Sequence, residues 1–254
     1  MVLLLDLGNT NLYAGVYSEG KLVAEFRKHT DLYRSSDEYA EILRSFLNLK
    51  KIDIASLEGA VLSSVIPSLS ATLKRAAEML IGKECKVVSK NLKSGLAIRI
   101  DNPGELGSDL VADCIGALKR YYSPCIIADL GTANKLLVVD RNGDFVGCTI
   151  GVGLKIGMKA LASHTAQLMD VSLVPPAKVI GKNSPDSLNS GATYGTCCLL
   201  EGMANKIEKE LGYPCRRILT GGNAALIKDI IDPSFLYDPT LILEGLYQIY
   251  LKNK

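Results

Sequence analysis

Three aspartates in this chain stand where a carboxylate can handle phosphate or a metal ion. Asp6 and Asp129 each end a short apolar run and begin the same pattern, Asp-Leu-Gly, followed by small polar residues. Asp109 lies where a glycine-rich stretch meets a predicted helix. A carboxylate beside such a turn can hold a hydrated cation, while the turn offers N–H groups to a phosphate. Three carboxylates converging on a cleft suit phosphoryl transfer, in which an aspartate accepts the proton of the attacking hydroxyl.

Each aspartate also has a simpler explanation. For Asp6 or Asp129 taken alone, the alternative is an Asp-Gly turn that binds no ligand. For Asp109 the alternative is an ordinary helix N-cap, a position that aspartate favours. The occurrence of two turns in register favours phosphate handling between two similar lobes.

The two turns belong to an internal repeat that aligns 6–23 with 129–146 without a gap. Seven residues of the first copy recur in the second: Asp6, Leu7, Gly8, Asn11, Val16, Gly20 and Val23. The period is far too long for a solenoid, so the repeat predicts two lobes, 1–120 and 121–254. Each copy begins with a buried strand, an acidic turn, a return strand, a hairpin turn and a third strand.

The remaining pattern predicts an α/β fold with mixed sheets flanked by helices. Ser35 and Glu38 form a capping signature for a first helix that continues to about residue 47. The other predicted helices are 69–81, 111–121, 158–168, 192–211, 222–231 and 241–251, and the other predicted strands are 60–65, 85–88 and 216–219.

Composition excludes several classes of protein. The 254 residues carry a net charge of +2, which gives no reason to expect nucleic acid or an anionic membrane as a partner. No apolar stretch reaches membrane-spanning length, and the apolar N-terminal run is too short for a signal peptide, so a cytoplasmic protein is expected. The seven cysteines form no Cys-x-x-Cys pair and only two histidines accompany them, which favours free buried thiols over zinc ligands.

Three common active-site signatures are absent. The chain has no Gly-x-x-x-x-Gly-Lys-Ser/Thr, no Gly-x-Gly-x-x-Gly after a strand and no Gly-x-Ser-x-Gly. Six glycines still mark places where backbone can approach a nucleotide: Gly8, Gly131, Gly151, Gly153, Gly221 and Gly222.

The motifs together resemble the type III pantothenate kinase family, in the right order and over nearly the whole chain. The matching segments are Asp6-Leu7-Gly8-Asn9-Thr10, Asp101-Asn102-Pro103, Glu105-Leu106-Gly107-Ser108-Asp109, Asp129-Leu130-Gly131-Thr132, Thr165-Ala166-Gln167-Leu168, Ser187-Leu188-Asn189-Ser190-Gly191, Tyr194-Gly195 and Thr220-Gly221-Gly222. The resemblance implies two lobes with a duplicated ribonuclease-H-like core, as in the superfamily of sugar kinases, chaperones and actin. It also implies a homodimer and the transfer of the ATP γ-phosphoryl group to pantothenate, the first step of coenzyme A synthesis.

The resemblance also implies roles for single residues. Asp109 would be the catalytic proton acceptor, Asp6 would help hold Mg²⁺, and Asp129 would hold a monovalent cation, K⁺ or NH₄⁺. The pantothenate site would include Ile100, Gly107, Ser108, Asp109, Leu110 and Ser184. ATP would contact Thr132 and the phosphate-binding turn, which consists of Asp6, Leu7, Gly8, Asn9, Thr10, Asn11, Leu12 and Tyr13.

The chain departs from the family pattern mainly on the substrate side. Leu110 stands where the family usually has an arginine, and Ile100 stands where a tyrosine is usual. Lys135 ends the segment Thr132-Ala133-Asn134-Lys135, where Thr-Ala-Thr-Thr is usual, and Val152-Gly153 replaces Pro-Gly. An arginine can form charge-assisted bonds to a carboxylate or phosphate, whereas leucine forms none.

These departures leave three hypotheses. The chain is a working pantothenate kinase with a rebuilt pocket, in which Lys135 or a partner-chain residue supplies the missing charge. Alternatively, it is a non-catalytic or regulatory relative that binds a nucleotide or a pantothenate-like ligand. In the third hypothesis it is a kinase for a different small alcohol, because Leu110 and Ile100 make the pocket more apolar.

Overall fold

A computed structural model describes residues 1–89, 91–165 and 171–254, which form two compact units. The first unit comprises Met1–Leu96, Asn102–Lys119 and Leu241–Lys254, and the second comprises Ala97–Asp101 and Arg120–Thr240. One crossing between the units falls between Lys119 and Arg120, one residue before the boundary expected at 120/121. The last segment differs, because 241–254 was assigned to the second lobe and lies in the first unit.

The first unit contains a five-stranded mixed sheet in the order β3-β2-β1-β4-β5. Strands β1, β2 and β3 form an antiparallel meander, and β4 and β5 continue parallel to β1. The strands are β1 Val2–Leu7, β2 Asn11–Ser18, β3 Lys21–His29, β4 Gly59–Ser64 and β5 Cys85–Val87. The central strands β1 and β4 are buried along nearly their whole length, as their continuous apolar runs require.

Four helices pack in the first unit: α1 Ser36–Leu49, α2 Pro67–Ile81, α3 Ser108–Tyr121 and, at the end of the chain, α6 Leu241–Lys252. The capping box predicted at Ser35 and Glu38 is present. The helix α6 packs on β1 and β4. Tyr17 of β2 stacks on Tyr247 of α6 at 4.7 Å between ring centroids and donates a hydrogen bond to Glu244. This apolar and aromatic face explains why the closing helix belongs to the first unit.

The second unit repeats the first sheet, in the order β8-β7-β6-β9-β10. Its strands are β6 Cys125–Leu130, β7 Ala133–Val139, β8 Phe145–Val152, β9 Arg216–Thr220 and β10 Phe235–Tyr237. Again a three-stranded antiparallel meander is extended by two parallel strands. The predicted duplication and the α/β class of mixed sheets are therefore confirmed.

Two α-helices of the second unit begin earlier than the sequence predicted. They are α4 Leu154–His164 and α5 Ser184–Leu211. The predicted helix 222–231 contains instead a short 3-10 helix, Ala224–Leu226, with turns. The end of the predicted helix 158–168 lies outside the described residues, as does 166–168 of the motif that begins at Thr165.

A buried ion pair joins the two ends of the segment Arg120–Thr240, which makes up most of the second unit. Asp238 is 5% exposed and accepts hydrogen bonds from Arg120 Nη1 at 2.7 and 2.8 Å, from Tyr121 at 3.1 Å and from Thr240. Burial and the neighbouring carboxylate raise the pKa of Tyr121 to about 12. Arg217 of β9 donates to both carboxylate oxygens of Glu208 on α5, which lowers the pKa of that carboxyl.

The thiols are free, as predicted, but not all are buried. Cys85, Cys114, Cys125 and Cys197 are buried, Cys215 is partly exposed, and Cys148 and Cys198 are exposed. Burial raises the pKa of Cys85, Cys125 and Cys197 to about 12. Within the described ranges, no helix combines the length and apolarity that a membrane span requires.

Candidate active site

The turn that follows Asp6 is a closed hairpin with an exposed tip. The Gly8 N–H donates to the carbonyl of Asn11 at 3.0 Å, and the Thr30 hydroxyl donates to the carbonyl of Gly8 at 2.7 Å. Asn9 and Thr10 are exposed at the tip, and Asp6 is half-buried at the end of β1. Because Gly8 has no side chain, a phosphate can approach the fixed backbone at the exposed tip of this turn.

Three residues predicted to bind ATP are buried instead. Leu7 and Leu12 are fully buried in the core of the first unit, and Tyr13 is 3% exposed. The Tyr13 hydroxyl donates to Glu25, and the Arg27 guanidinium lies 3.6 Å from the centre of its ring. Burial, followed by the hydrogen bond with Glu25, raises the pKa of Tyr13. A role of these three residues in ATP binding is therefore restricted to their backbone.

Asp109 lies within the first turn of α3, which begins at Ser108 and thus three residues earlier than predicted. Asp109 is the second helical residue and not the N-cap, so the simpler explanation for this aspartate does not hold. Its carboxylate folds back over Gly107, because a methyl group added to Gly107 would lie 2.5 Å from Oδ1. The positive end of the helix dipole favours a carboxylate at this position.

A cluster of serines fixes the start of α3 against the sheet. The hydroxyl oxygens of Ser108 and Ser63 lie 3.0 Å apart, and the Ser64 N–H donates to Ser108 at 3.1 Å. The Ser70 hydroxyl donates to that of Ser64 at 2.6 Å. Because Ser63 is the register partner of Asp6, these bonds bring the start of α3 to the edge of the sheet where Asp6 lies.

These serines were not among the predicted site residues, although the sequence carries a signal for them. Ser63 and Ser64 directly follow the apolar run of β4. Hydroxyls at the carboxyl end of a parallel strand point to a site at that edge of the sheet.

The remaining residues predicted to bind substrate differ in environment. Leu110 is 8% exposed, so its side chain packs inside the molecule. Ile100 is half-buried and belongs to the second unit, beside the bridge between Ile98 and Phe145. Ser184 is exposed as the first residue of α5.

In the second unit, Asp129 forms an ion pair across its own hairpin. Asp129 of β6 and Lys135 of β7 are register partners, and the Lys135 ammonium donates to Oδ2 at 2.9 Å. The two side chains are 14% and 18% exposed, respectively. Lys135 is therefore engaged with Asp129.

Backbone that directly follows β9 covers the same carboxylate. Gly221 has φ +96°, and a Cβ there would lie 2.5 Å from Asp129 Oδ1 and 2.5 Å from the nitrogen of Leu130. Asn223 follows and donates from its side chain to the carbonyl of Gly131 at 2.8 Å. Only glycine allows this approach, which explains Gly221 of the Gly221-Gly222 pair.

The exposed part of this second turn includes Thr132, the predicted ATP contact. Gly153 lies against the carbonyl of Thr132, since a Cβ at Gly153 would be 2.2 Å from that oxygen. In the described part of the chain, no group of three or more histidine, cysteine, aspartate or glutamate side chains could form a metal cage.

The duplicated sheet with an aspartate at each first hairpin defines a protein of the actin-like and sugar-kinase ATPase fold. A putative Baf family transcriptional activator from Campylobacter jejuni has a similar fold, with a TM-score of 0.63, 18% identity and coverage of 99% of this chain and 98% of that one. A putative 2-dehydro-3-deoxygalactonokinase from Sinorhizobium meliloti gives a TM-score of 0.59 at 12% identity, with 98% and 96% covered. At these identities the likeness concerns the fold alone.

Sequence comparison defines the family. The model of the type III pantothenate kinase family matches residues 2–206. Type III pantothenate kinase from Roseiflexus sp. (strain RS-1) is 36% identical over 254 residues, covering 100% of both chains. The enzyme of that name from Bacillus cytotoxicus is 33% identical over 253 residues, covering 100% of this chain and 97% of its own. The chain belongs to the type III pantothenate kinase family, as the resemblance predicted.

Proposed function

We propose that this chain transfers the γ-phosphoryl group of ATP to the primary hydroxyl of pantothenate, with Asp109 as the proton acceptor. The kinase activity and the small-molecule substrate follow from the family. The observation that carries the assignment of Asp109 is its place in the first turn of α3, bonded through Ser108 to the strand edge that carries Asp6.

Asp109 acts on the proton of the attacking hydroxyl. As the hydroxyl oxygen bonds to the γ-phosphorus, its proton passes to the Asp109 carboxylate and ADP leaves with the electrons of the broken P–O bond. Gly107 makes room for the carboxylate, and the serine cluster fixes the helix that carries it. Catalysis of this kind depends on position, since a kinase needs little covalent chemistry of its own.

The turn after Asp6 is the proposed phosphate site. Asn9 and Thr10 are exposed there, and the backbone of Gly8 is fixed by two hydrogen bonds. A magnesium ion fits this place, because Mg²⁺ in kinases is held by one or two carboxylates together with the substrate phosphates rather than by a protein cage. Asp6 would hold it, and the ion would neutralise charge on the phosphates.

The pantothenate site is proposed to include Gly107, Ser108, Leu110, Ile100 and Ser184. Leu110 contributes packing rather than a charged contact, since its side chain is buried. That burial also weakens the case for a more apolar acceptor, because little of Leu110 is available to line a pocket. The substrate carboxylate therefore needs a donor other than this position.

A homodimer is proposed through strand β8 and helix α4 of the second unit. The edge strand β8 exposes Ile150 and Val152, and α4 exposes Ile156 and Leu161. An edge strand with exposed apolar side chains is a ready surface for association, and a second copy of the chain is the proposed partner.

The test is ADP release by the purified protein with ATP and Mg²⁺, with and without pantothenate. We expect pantothenate-dependent turnover, most of which Asp109→Asn removes, leaving a small residual rate. The matched control is Asp37→Asn, because Asp37 is the second residue of α1 as Asp109 is of α3, and both follow a serine. Near-normal turnover by Asp109→Asn would refute the base assignment. No turnover by a wild-type protein that binds ATP would refute pantothenate as the acceptor.

A further inference from the structure

The negative charge of Asp129 is balanced in the structure by Lys135. The family resemblance assigns a monovalent cation to this carboxylate. In the structure a cation of the chain itself is already there, with Nζ 2.9 Å from Oδ2. An ammonium group carries the same single charge as K⁺ or NH₄⁺ and donates hydrogen bonds as NH₄⁺ does.

The surroundings of the carboxylate do not fit an additional monovalent cation. Oδ2 receives the Lys135 ammonium, and the Cα of Gly221 lies so close to Oδ1 that a methyl group there would be 2.5 Å away. Both sides of the carboxylate are thus closely covered by the chain. A second positive charge beside the ammonium would also be repelled by it.

The position of Lys135 is set by the fold. The hairpin pairs Asp129 with Lys135 directly across β6 and β7, and β8 pairs on the other side of β7, where Ile150 is opposite Lys135. Side chains directly opposite one another in an antiparallel pair lie within contact distance. The register therefore places Lys135 beside Asp129, where the lysine side chain is 18% exposed.

We propose that the Lys135 ammonium permanently replaces the monovalent cation, so that this chain binds ATP without K⁺ or NH₄⁺. Lys135 acts as a positioning residue: it cancels the charge of Asp129, which lies three residues before Thr132, the expected ATP contact. The consequence for turnover rests on the proposed function, whereas the consequence for the folded state and for ATP binding does not.

The experiment compares three lysine variants in three salts. The variants are Lys135→Met, which removes the charge, Lys135→Arg, which keeps it, and Lys206→Met, an exposed position on α5 that serves as the control. Thermal melting, ATP binding by calorimetry and pantothenate-dependent ADP release are measured in KCl, NH₄Cl and tetramethylammonium chloride at equal ionic strength. Tetramethylammonium is too large and donates no hydrogen bonds, so it cannot occupy the place of the lost ammonium.

We expect the wild type, Lys206→Met and Lys135→Arg to behave alike in the three salts. In tetramethylammonium, Lys135→Met should melt at a lower temperature and bind ATP about tenfold or more weakly, because a buried carboxylate has lost a charged partner. K⁺ or NH₄⁺ should restore both properties in this variant alone. A general loss of structure would not be reversed selectively by these two ions.

Two results would overturn the proposal. One is a wild-type protein whose melting temperature or ATP affinity rises in K⁺ over tetramethylammonium. The other is a Lys135→Met variant that binds ATP as the wild type does in all three salts. If the wild type released no ADP with pantothenate, the proposed function would fail, and the melting and binding measurements would still decide the role of Lys135.

Discussion

Replacing Gly107 with alanine should slow the reaction without unfolding the protein. The new methyl group would lie 2.5 Å from Asp109 Oδ1, whereas ordinary contact begins at 3.4 Å. The carboxylate must therefore move by about 0.9 Å, close to the ~1 Å misplacement that costs about 100-fold in rate. The contact involves the end of a side chain, and Gly107 does not have the positive φ that would forbid alanine, so the backbone can stay in place.

The assay is steady-state ADP release with ATP and pantothenate varied in turn, together with thermal melting. We expect kcat for Gly107→Ala to fall by about 10- to 100-fold, with a loss of only a few degrees in melting temperature. Gly104→Ala is the matched control, since its methyl group would meet its nearest atom at 3.5 Å in the same loop. In an Asp109→Asn background, Gly107→Ala should have no further effect on the rate.

The reasoning is refuted if Gly107→Ala and Gly104→Ala turn over equally fast. An equal further loss in the Asp109→Asn background would also contradict it, because the glycine would then act through something other than the carboxylate. Either result would mean that Gly107 has no role in positioning the Asp109 carboxylate and is only a structural residue of the loop.

Three further predictions concern stability and reactivity. Arg120→Met should lower the free energy of unfolding in urea by about 3–5 kcal/mol, because it leaves the buried carboxylate of Asp238 without its ion-pair partner. The control Arg99→Met removes an ion pair whose arginine is largely exposed and should lower that free energy by less than about 1 kcal/mol. The pKa of Glu208 is lowered in the folded state, so its contribution to stability is present above its unfolded pKa and is lost as the pH falls through the folded pKa. In urea unfolding measured at several pH values, Arg217→Met should reduce this loss of stability in acid. An unchanged dependence on pH would contradict the assignment. A thiol-labelling time course should modify the exposed Cys198 in the native protein and the four buried thiols only on unfolding, and fast labelling of all seven would refute their burial.

The duplicated core was predictable because the repeat is carried by residues with simple physical roles. Strand β1 spans Val2–Leu7 and β6 spans Cys125–Leu130, the same segment in each copy of the alignment. Apolar runs identify buried strands, and the Asp-Leu-Gly pattern marks the turn that follows each of them. The order of strands in the two sheets then follows from the same sequence pattern in each copy.

Helix boundaries were less predictable where proline and polar residues resemble a loop. The helix α5 begins at Ser184 and has Pro185 in its first turn, a position where proline is tolerated because its missing N–H needs no partner. Asn183 caps it by accepting from the N–H of Asp186 at 2.8 Å. The sequence therefore predicted this helix only from residue 192, eight residues after its actual start.

The candidate site was predictable by residue type but not by contact. Asp6, Asp109 and Asp129 were selected because carboxylates at turns suit phosphate chemistry, and the structure places the first two at one strand edge through the serine cluster. The pairing of Asp129 with Lys135 requires the register of a hairpin, which depends on where the turn begins. A shift by one residue would have placed Lys135 on the opposite face of the sheet.

The end of the chain contributes to the site through the helix that carries Asp109. Helices α3 and α6 cross at two glycines: a Cβ on Gly245 would lie 1.8 Å from the carbonyl oxygen of Ala112, and one on Gly116 would lie 2.3 Å from that of Leu241. The backbones therefore touch directly, and α6 is in turn packed on β1 and β4. Because β1 ends with Asp6 and Leu7 and α3 begins with Ser108 and Asp109, the closing helix holds both carboxylate-bearing elements in one rigid arrangement. The local alternation of polar and apolar residues does not reveal this role, since it arises from contacts more than a hundred residues apart in sequence.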